Sequence, residues 1–186
     1  MSDETATWAG VMSAFDTRMQ AYVTENGSPP PQPGDLITDA QLAKLRAGFD
    51  LTDAIASIRW TLNTPYTPAS PFPDWIYKAF YLTASTDGPE ELSATEREIA
   101  QLVLLSTTFS AAGMAIHFYW ALAQNADMRP NQLGRTVALA AAYKGIDVWS
   151  FNIGVLQKTL VALAQCADDG IVTYDPVLAK IVAAVS

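Results

Sequence analysis

Apolar residues recur at steps of three and four along most of the chain. Trp8, Val11, Met12, Phe15, Met19 and Val23 mark one face of a helix over residues 4–23, expected on the outside of the fold. Thr38, with Gln41 three residues on, has the spacing of a capping box. It opens a helical stretch through Ala40, Leu42, Leu45 and Phe49, then Ile55, Ile58 and Leu62, with Gly48 dividing it. Asp74 starts a short aromatic helix with Trp75, Tyr77, Phe80 and Tyr81. A second capping box, Ser93 to Glu96, launches a long apolar region. Pro130 and Asn131 open a helix carrying Leu133, Val137, Leu139 and Tyr143, which Gly145 is expected to end in a left-handed cap. Residues 147–167 continue the pattern through Val148, Phe151, Ile153, Val155 and Leu156, and Asp175-Pro176 is expected to begin the last helix as N-cap and first position.

The breaks are as legible as the helices. Residues 26–34 (NGSPPPQPG) hold too many prolines and glycines for a helix or a central strand and predict an extended, polyproline-type linker. Pro65, Pro68, Pro71 and Pro73 interrupt the chain again. No useful length alternates with period two, so no sheet is expected. The fold class is all-α, a helical bundle of about seven or eight helices. Gly48-Phe-Asp-Leu and Gly145-Ile-Asp-Val echo one another, but four positions do not establish a duplication.

The 186 residues suit one domain, since a chain of this length buries roughly 70% of its unfolded surface unaided. Acidic residues number 19 against 11 basic, a formal charge of -8. That balance opposes phosphate backbones and anionic membranes, so no nucleic acid and no membrane is expected as a partner. One cysteine, Cys166, and one histidine, His117, give neither an internal disulfide nor a zinc ligand set. The first residues, Met1-Ser-Asp-Glu-Thr, are acidic where a secretory leader is basic, and a cytoplasmic protein is expected.

Residues 99–126 contain no Asp, Glu, Lys or Arg, a stretch longer than a membrane span needs. Gln101, Ser106, Thr107, Thr108, Ser110, His117 and Gln124 load it with polar groups, however. The Ser-Thr-Thr-Phe-Ser run at 106–110 predicts a junction between two core helices.

Residues 92–128, LSATEREIAQLVLLSTTFSAAGMAIHFYWALAQNADM, followed by a helix ending in Tyr143-Lys-Gly145, resemble the alkylhydroperoxidase AhpD-like, or carboxymuconolactone decarboxylase, superfamily. That family pairs a leucine-serine capping start with an Arg-Glu pair, a Cys-x-x-Cys-x-x-x-His motif, an Ala-rich helix and an aromatic-x-Gly corner. The likeness covers about residues 92–162. Its glutamate lies twelve residues before the first cysteine, which places the glutamate at Glu98, the two cysteines at Ser110 and Gly113, and the histidine at His117. Arg97-Glu98 and the histidine are present; both sulfurs are absent. The resemblance divides the chain into an N-terminal helical extension (1–90), a family core (91–165) and a C-terminal helix (166–186). It also implies a homo-oligomer, whether trimer, hexamer or dimer.

Disulfide exchange needs a thiolate, which serine and glycine cannot supply, so a Cys-x-x-Cys peroxidase is excluded at this site. What the resemblance leaves is an acid/base pair. His117 is expected as general acid/base and Glu98 as the group that orients it or relays its proton. The decarboxylase branch of the family works without a metal or organic cofactor, so none is expected. On a helix, Ser110, Gly113, His117 and Trp120 share one face. Ser110 is expected to bind a polar group of the substrate, Gly113 to leave room for it, and Phe118, Tyr119 and Trp120 to wall an apolar cavity, with Tyr143 within reach.

Each residue also has a plainer reading. A lone histidine on an Ala-rich helix is often a hydrogen-bonded core residue. Glu98 suits the first turn of a helix electrostatically, and Ser110 suits an N-cap. Tyr143, Trp149 and Asn152 suit core or subunit contacts. Three functions compete on these residues. The first is a cofactor-independent decarboxylase, lyase or isomerase acting on a small organic acid, lactone or ketone. The second is a redox-inactive binding protein or oligomeric scaffold. The third is a peroxidase-related protein using Cys166, which lies in an apolar helix where cysteine usually behaves as a small hydrophobe.

Overall fold

Two capping boxes fix where helices begin. The Thr38 hydroxyl accepts from Gln41 N at 3.2 Å while Gln41 Oε1 accepts from Thr38 N at 2.8 Å. Ser93 and Glu96 repeat the arrangement at 3.2 and 2.8 Å. The hydrogen bonds from the Ser93 side chain, then its backbone, hold the Glu96 carboxyl below its usual pKa.

The computed structural model describes residues 8–27, 31–63 and 93–186. Among them the fold is all-α, with eight helices: α1 (Trp8–Asn26), α2 (Asp39–Gly48), α3 (Leu51–Asn63), α4 (Ala94–Leu105), α5 (Ala111–Gln124), α6 (Pro130–Lys144), α7 (Ile146–Asp168) and α8 (Tyr174–Val185). A 3-10 turn at Pro33–Asp35 precedes α2. The aromatic helix expected after Asp74, and the prolines from Pro65 to Pro73, lie outside the described residues. None of the helices is long and apolar enough to cross a membrane among the described residues.

The chain divides into two compact units, Met1–Pro31 and Gln32–Ser186. Within the stretch expected to be an extended linker, Pro33 and Gly34 instead belong to the 3-10 turn before α2, and Gly34 N donates to Asn131 Oδ1 at 2.8 Å. The first unit contains α1, whose Val11, Phe15, Met19 and Tyr22 are exposed among the described residues.

In the second unit α5 is the centre. Met114, Ala115 and every residue from Phe118 to Leu122 are buried, so the helix is enclosed on nearly all sides, by α2, α4, α7 and α8. Leu42 and Leu45 of α2 are buried to the same degree as Tyr119 and Leu122 of α5. Ile37, Leu42, Leu45, Ala54 and Ile55 therefore belong to the same core as α5. The α7 helix likewise runs unbroken across residue 165, with Leu163, Cys166 and Ala167 all in the core.

The corners follow local chemistry. A Cβ on Gly48 would collide with the carbonyl of Val172, so only glycine lets α2 end against that backbone. Gly145 joins α6 to α7 with φ 104° and ψ 171°, a glycine conformation more extended than the expected left-handed cap. The two echoing tetrapeptides, at Gly48 and Gly145, both sit at such helix-helix corners. Pro130 takes the first position of α6 as expected. The last helix starts earlier than expected: Thr173 is the N-cap and Asp175 lies within the first turn, because Tyr174 is drawn into the core as the first helical residue.

Candidate acid/base site

The turn between α4 and α5 sets the site's frame. Ser106, Thr107 and Thr108 each return a hydroxyl to the carbonyl three residues back, at 2.7, 2.9 and 2.8 Å, and so satisfy the acceptors that the end of α4 exposes. Asn152 of α7, itself fully buried, donates Nδ2 to Ser106 O at 2.9 Å and to Val148 O at 2.8 Å. Phe109 holds φ at 53°, unusual for a residue with a bulky side chain, and its ring meets Phe151 edge-on at 5.2 Å between centroids. The turn is thus clamped to α7 at two adjacent residues, and α5 leaves it in a fixed direction.

Ser110 then caps α5, its hydroxyl accepting from Gly113 N at 3.2 Å. A Cβ on Gly113 would lie 2.9 Å from that hydroxyl, closer than real atoms tolerate. The expected substrate contacts Ser110 and Gly113 are therefore accounted for by a helix cap and the space it needs.

One turn further, His117 faces α4. Its Nδ1 lies 3.0 Å from Glu98 Oε2, with the carboxylate 0% and the imidazole 17% exposed. Of the expected site residues, Glu98 and His117 are joined side chain to side chain, while Ser110 and Gly113 meet through the helix cap. An ionised carboxylate only accepts, so against it Nδ1 is the donor, and in the neutral form of the imidazole this leaves the lone pair on Nε2. No hydrogen bond to Nε2 is present among the described residues. Arg97 lies alongside, its Nε 3.7 Å from Glu98 Oε1, so the buried carboxylate has a cation near its second oxygen. Glu98 Oε1 itself accepts no hydrogen bond.

Trp120 packs near the imidazole, with ring centroids 6.1 Å apart, but it is completely buried and donates its indole N–H to Tyr174 at 2.9 Å. It belongs to an aromatic cluster with Phe49, Tyr119 and Tyr174 and backs the histidine as a wall. Burial raises the Tyr119 hydroxyl above its usual pKa. Tyr143, expected within reach of the site, stands 82% exposed in the last turn of α6. Cys166 is buried, and that burial raises its thiol above the usual value, which suits a packing residue. No cluster of three or more histidine, cysteine or carboxylate side chains that could hold a metal ion occurs among the described residues.

Sequence reasoning passed over the polar company that Glu98 keeps. Arg97 Nη2 donates to Gln124 Oε1 at 3.0 Å, and Thr95 donates to Asn125 Oδ1 at 3.1 Å. Together with Glu98–His117 these form three polar crossings between the antiparallel helices α4 and α5. The available signal was spacing: Gln124 lies seven residues, two helical turns, beyond His117 and hence on the same face. Comparison with models of protein families, with curated proteins and with solved structures finds no match to this chain.

Proposed function

We propose that the chain is a cofactor-independent acid/base enzyme, a decarboxylase, lyase or isomerase acting on a small organic acid, lactone or ketone, without thiol redox chemistry. The observation that supports this most strongly is the 3.0 Å contact of Glu98 Oε2 with His117 Nδ1 at a fully buried carboxylate. A carboxylate so placed fixes the imidazole's tautomer and stabilises the imidazolium when Nε2 takes up a proton. In a decarboxylation Nε2 first takes the proton of the substrate's carboxylic acid; the bond to the carboxylate carbon then breaks, carbon dioxide leaves, the electron pair stays on the remaining carbon as an enolate, and Nε2–H gives the proton to that carbon. In an isomerisation Nε2 removes a proton beside a carbonyl and delivers it to another atom. Kinship with the AhpD-like superfamily is part of the same proposal, resting on the spacing of Arg97, Glu98 and His117.

The experiment is a turnover assay over small β-keto acids, carboxylated lactones and ketones. Wild-type protein turns over at least one class, and His117→Ala and Glu98→Ala each lower that rate by about 10²-fold or more. Turnover unchanged in both variants overturns the assignment.

A second reading, an oligomeric scaffold, is favoured by the exposed apolar residues Leu104 of α4, Phe109 of the following turn, Leu139 and Tyr143 of α6 and Ile146 at the start of α7. A homo-oligomer in solution that loses its assembly on Tyr143→Asp, together with no turnover of any substrate class, supports that reading over the first.

A further inference from the structure

The imidazole of His117 is the partly exposed member of the pair, and the helices that carry the pair have no other acidic or basic side chain beside it. The α5 helix contains no Asp, Glu, Lys or Arg, and α4 contains none after Glu98. Among the described residues, the guanidinium groups that meet α5 are already committed. Arg46 of α2 donates to the carbonyls of Leu122, Asn125 and Met128 at 2.8, 3.2 and 3.0 Å. Arg97 is buried, donates to Gln124 and stands beside the Glu98 carboxylate, whose charge it offsets. The charge in direct contact with the imidazole is therefore negative. An anion brought to Nε2 would give up its hydration and meet that carboxylate, with the cations of the described residues spent elsewhere. An uncharged carbonyl compound gives up much less, and Nε2–H of the imidazolium can donate to its oxygen.

We propose that the Glu98–His117 site takes an uncharged substrate, a ketone or lactone with no ionised group near the reacting carbon, and works as an isomerase rather than a decarboxylase. This rests on the acid/base reading above and narrows it. Nε2 takes a proton from the carbon beside the carbonyl, the electrons of that C–H bond form the enolate, and Nε2–H delivers the proton to a different atom of the same molecule. No co-reactant is consumed, and the imidazolium formed in the step is the one cation that the enolate needs beside it.

Iodoacetamide and iodoacetate are of nearly equal size and differ in charge, and each alkylates an imidazole nitrogen with loss of iodide. His117 is the only histidine, so its alkylation is read by mass at a single peptide, without a known substrate. Both rates are measured at one fixed alkaline pH and referred to those of N-acetylhistidine. Relative to that reference, the protein is expected to favour iodoacetamide over iodoacetate by about tenfold. Glu98→Gln lowers the iodoacetamide rate and brings the preference back toward the reference. Equal relative rates in the wild-type protein, or faster reaction of iodoacetate, overturn the proposal. If Glu98→Gln still slows the labelling in that case, only the substrate's charge is misassigned and the acid/base reading stands. Failure of both reagents to label His117 in the native protein, or a Glu98→Gln variant as reactive as the wild type, overturns the acid/base reading itself.

Discussion

Glu98 Oε2 and His117 Nδ1 meet at 3.0 Å across the seam between α4 and α5, nineteen residues apart in sequence, with the carboxylate sealed from solvent. A buried carboxylate is costly unless it is paired and hydrogen-bonded, and here an imidazole occupies one oxygen while a guanidinium stands near the other. The fold holds this arrangement through ordinary devices, each of which can be broken separately.

The cap at Ser110 and the glycine it requires form one such device. Ser110→Ala costs about 1 kcal/mol by removing the cap. Gly113→Ala alone is destabilising by a similar amount, since the new methyl group meets the Ser110 hydroxyl. In the Ser110→Ala background the same Gly113→Ala change stabilises by about 0.5–1 kcal/mol, because the obstacle is gone and alanine favours the helix. A urea-unfolding double-mutant cycle reads this change of sign, and simple additivity would refute it.

Asn152 is the bolt between α7 and the turn before α5. Asn152→Asp places a buried carboxylate against the carbonyls of Ser106 and Val148 and is expected to cost about 3 kcal/mol or more at neutral pH. The loss shrinks as the pH falls and the new carboxyl takes up a proton, which again donates. Stability measured against pH in the variant and the wild type shows whether the gap narrows in acid.

Cys166 gives a pH dependence of the same sense, displaced to the alkaline range. Its folded-state pKa lies above the unfolded value because burial disfavours the thiolate, so the fold binds the proton more tightly than the unfolded chain. The contribution is complete below about pH 8.5 and is lost as pH rises beyond that. Cys166→Ala abolishes this alkaline decline, and a thiol reagent at pH 8 reacts with the native protein more than about tenfold more slowly than with the unfolded chain. Rapid labelling of native protein would contradict the assignment of Cys166 as a packing residue.

How much of this was written in the sequence depends on how local the cause is. Both capping boxes, Pro130 at the head of α6, the corners at Gly48 and Gly145 and the hydroxyl-rich turn at 106–110 are legible because each needs only residues a few positions apart. The α8 start was misplaced because the pull on Tyr174 comes from Trp120 and Phe49, far away in sequence. The partner of the Trp120 indole, Tyr174, is likewise distant in sequence, whereas the crowding of Gly113 by the Ser110 hydroxyl is local and follows from the cap. Glu98 and His117 were found through spacing, whereas Arg97–Gln124 was not, because a polar pair between two helices has no pattern of its own in either one.

The most direct measurement is the nitrogen-15 spectrum of the single imidazole in the neutral protein. The account predicts the His117 tautomer with its proton on Nδ1, that proton shifted downfield by the Glu98 carboxylate, and loss of this state in Glu98→Ala. A proton on Nε2 in the wild-type protein, with a spectrum unaltered by Glu98→Ala, would contradict it.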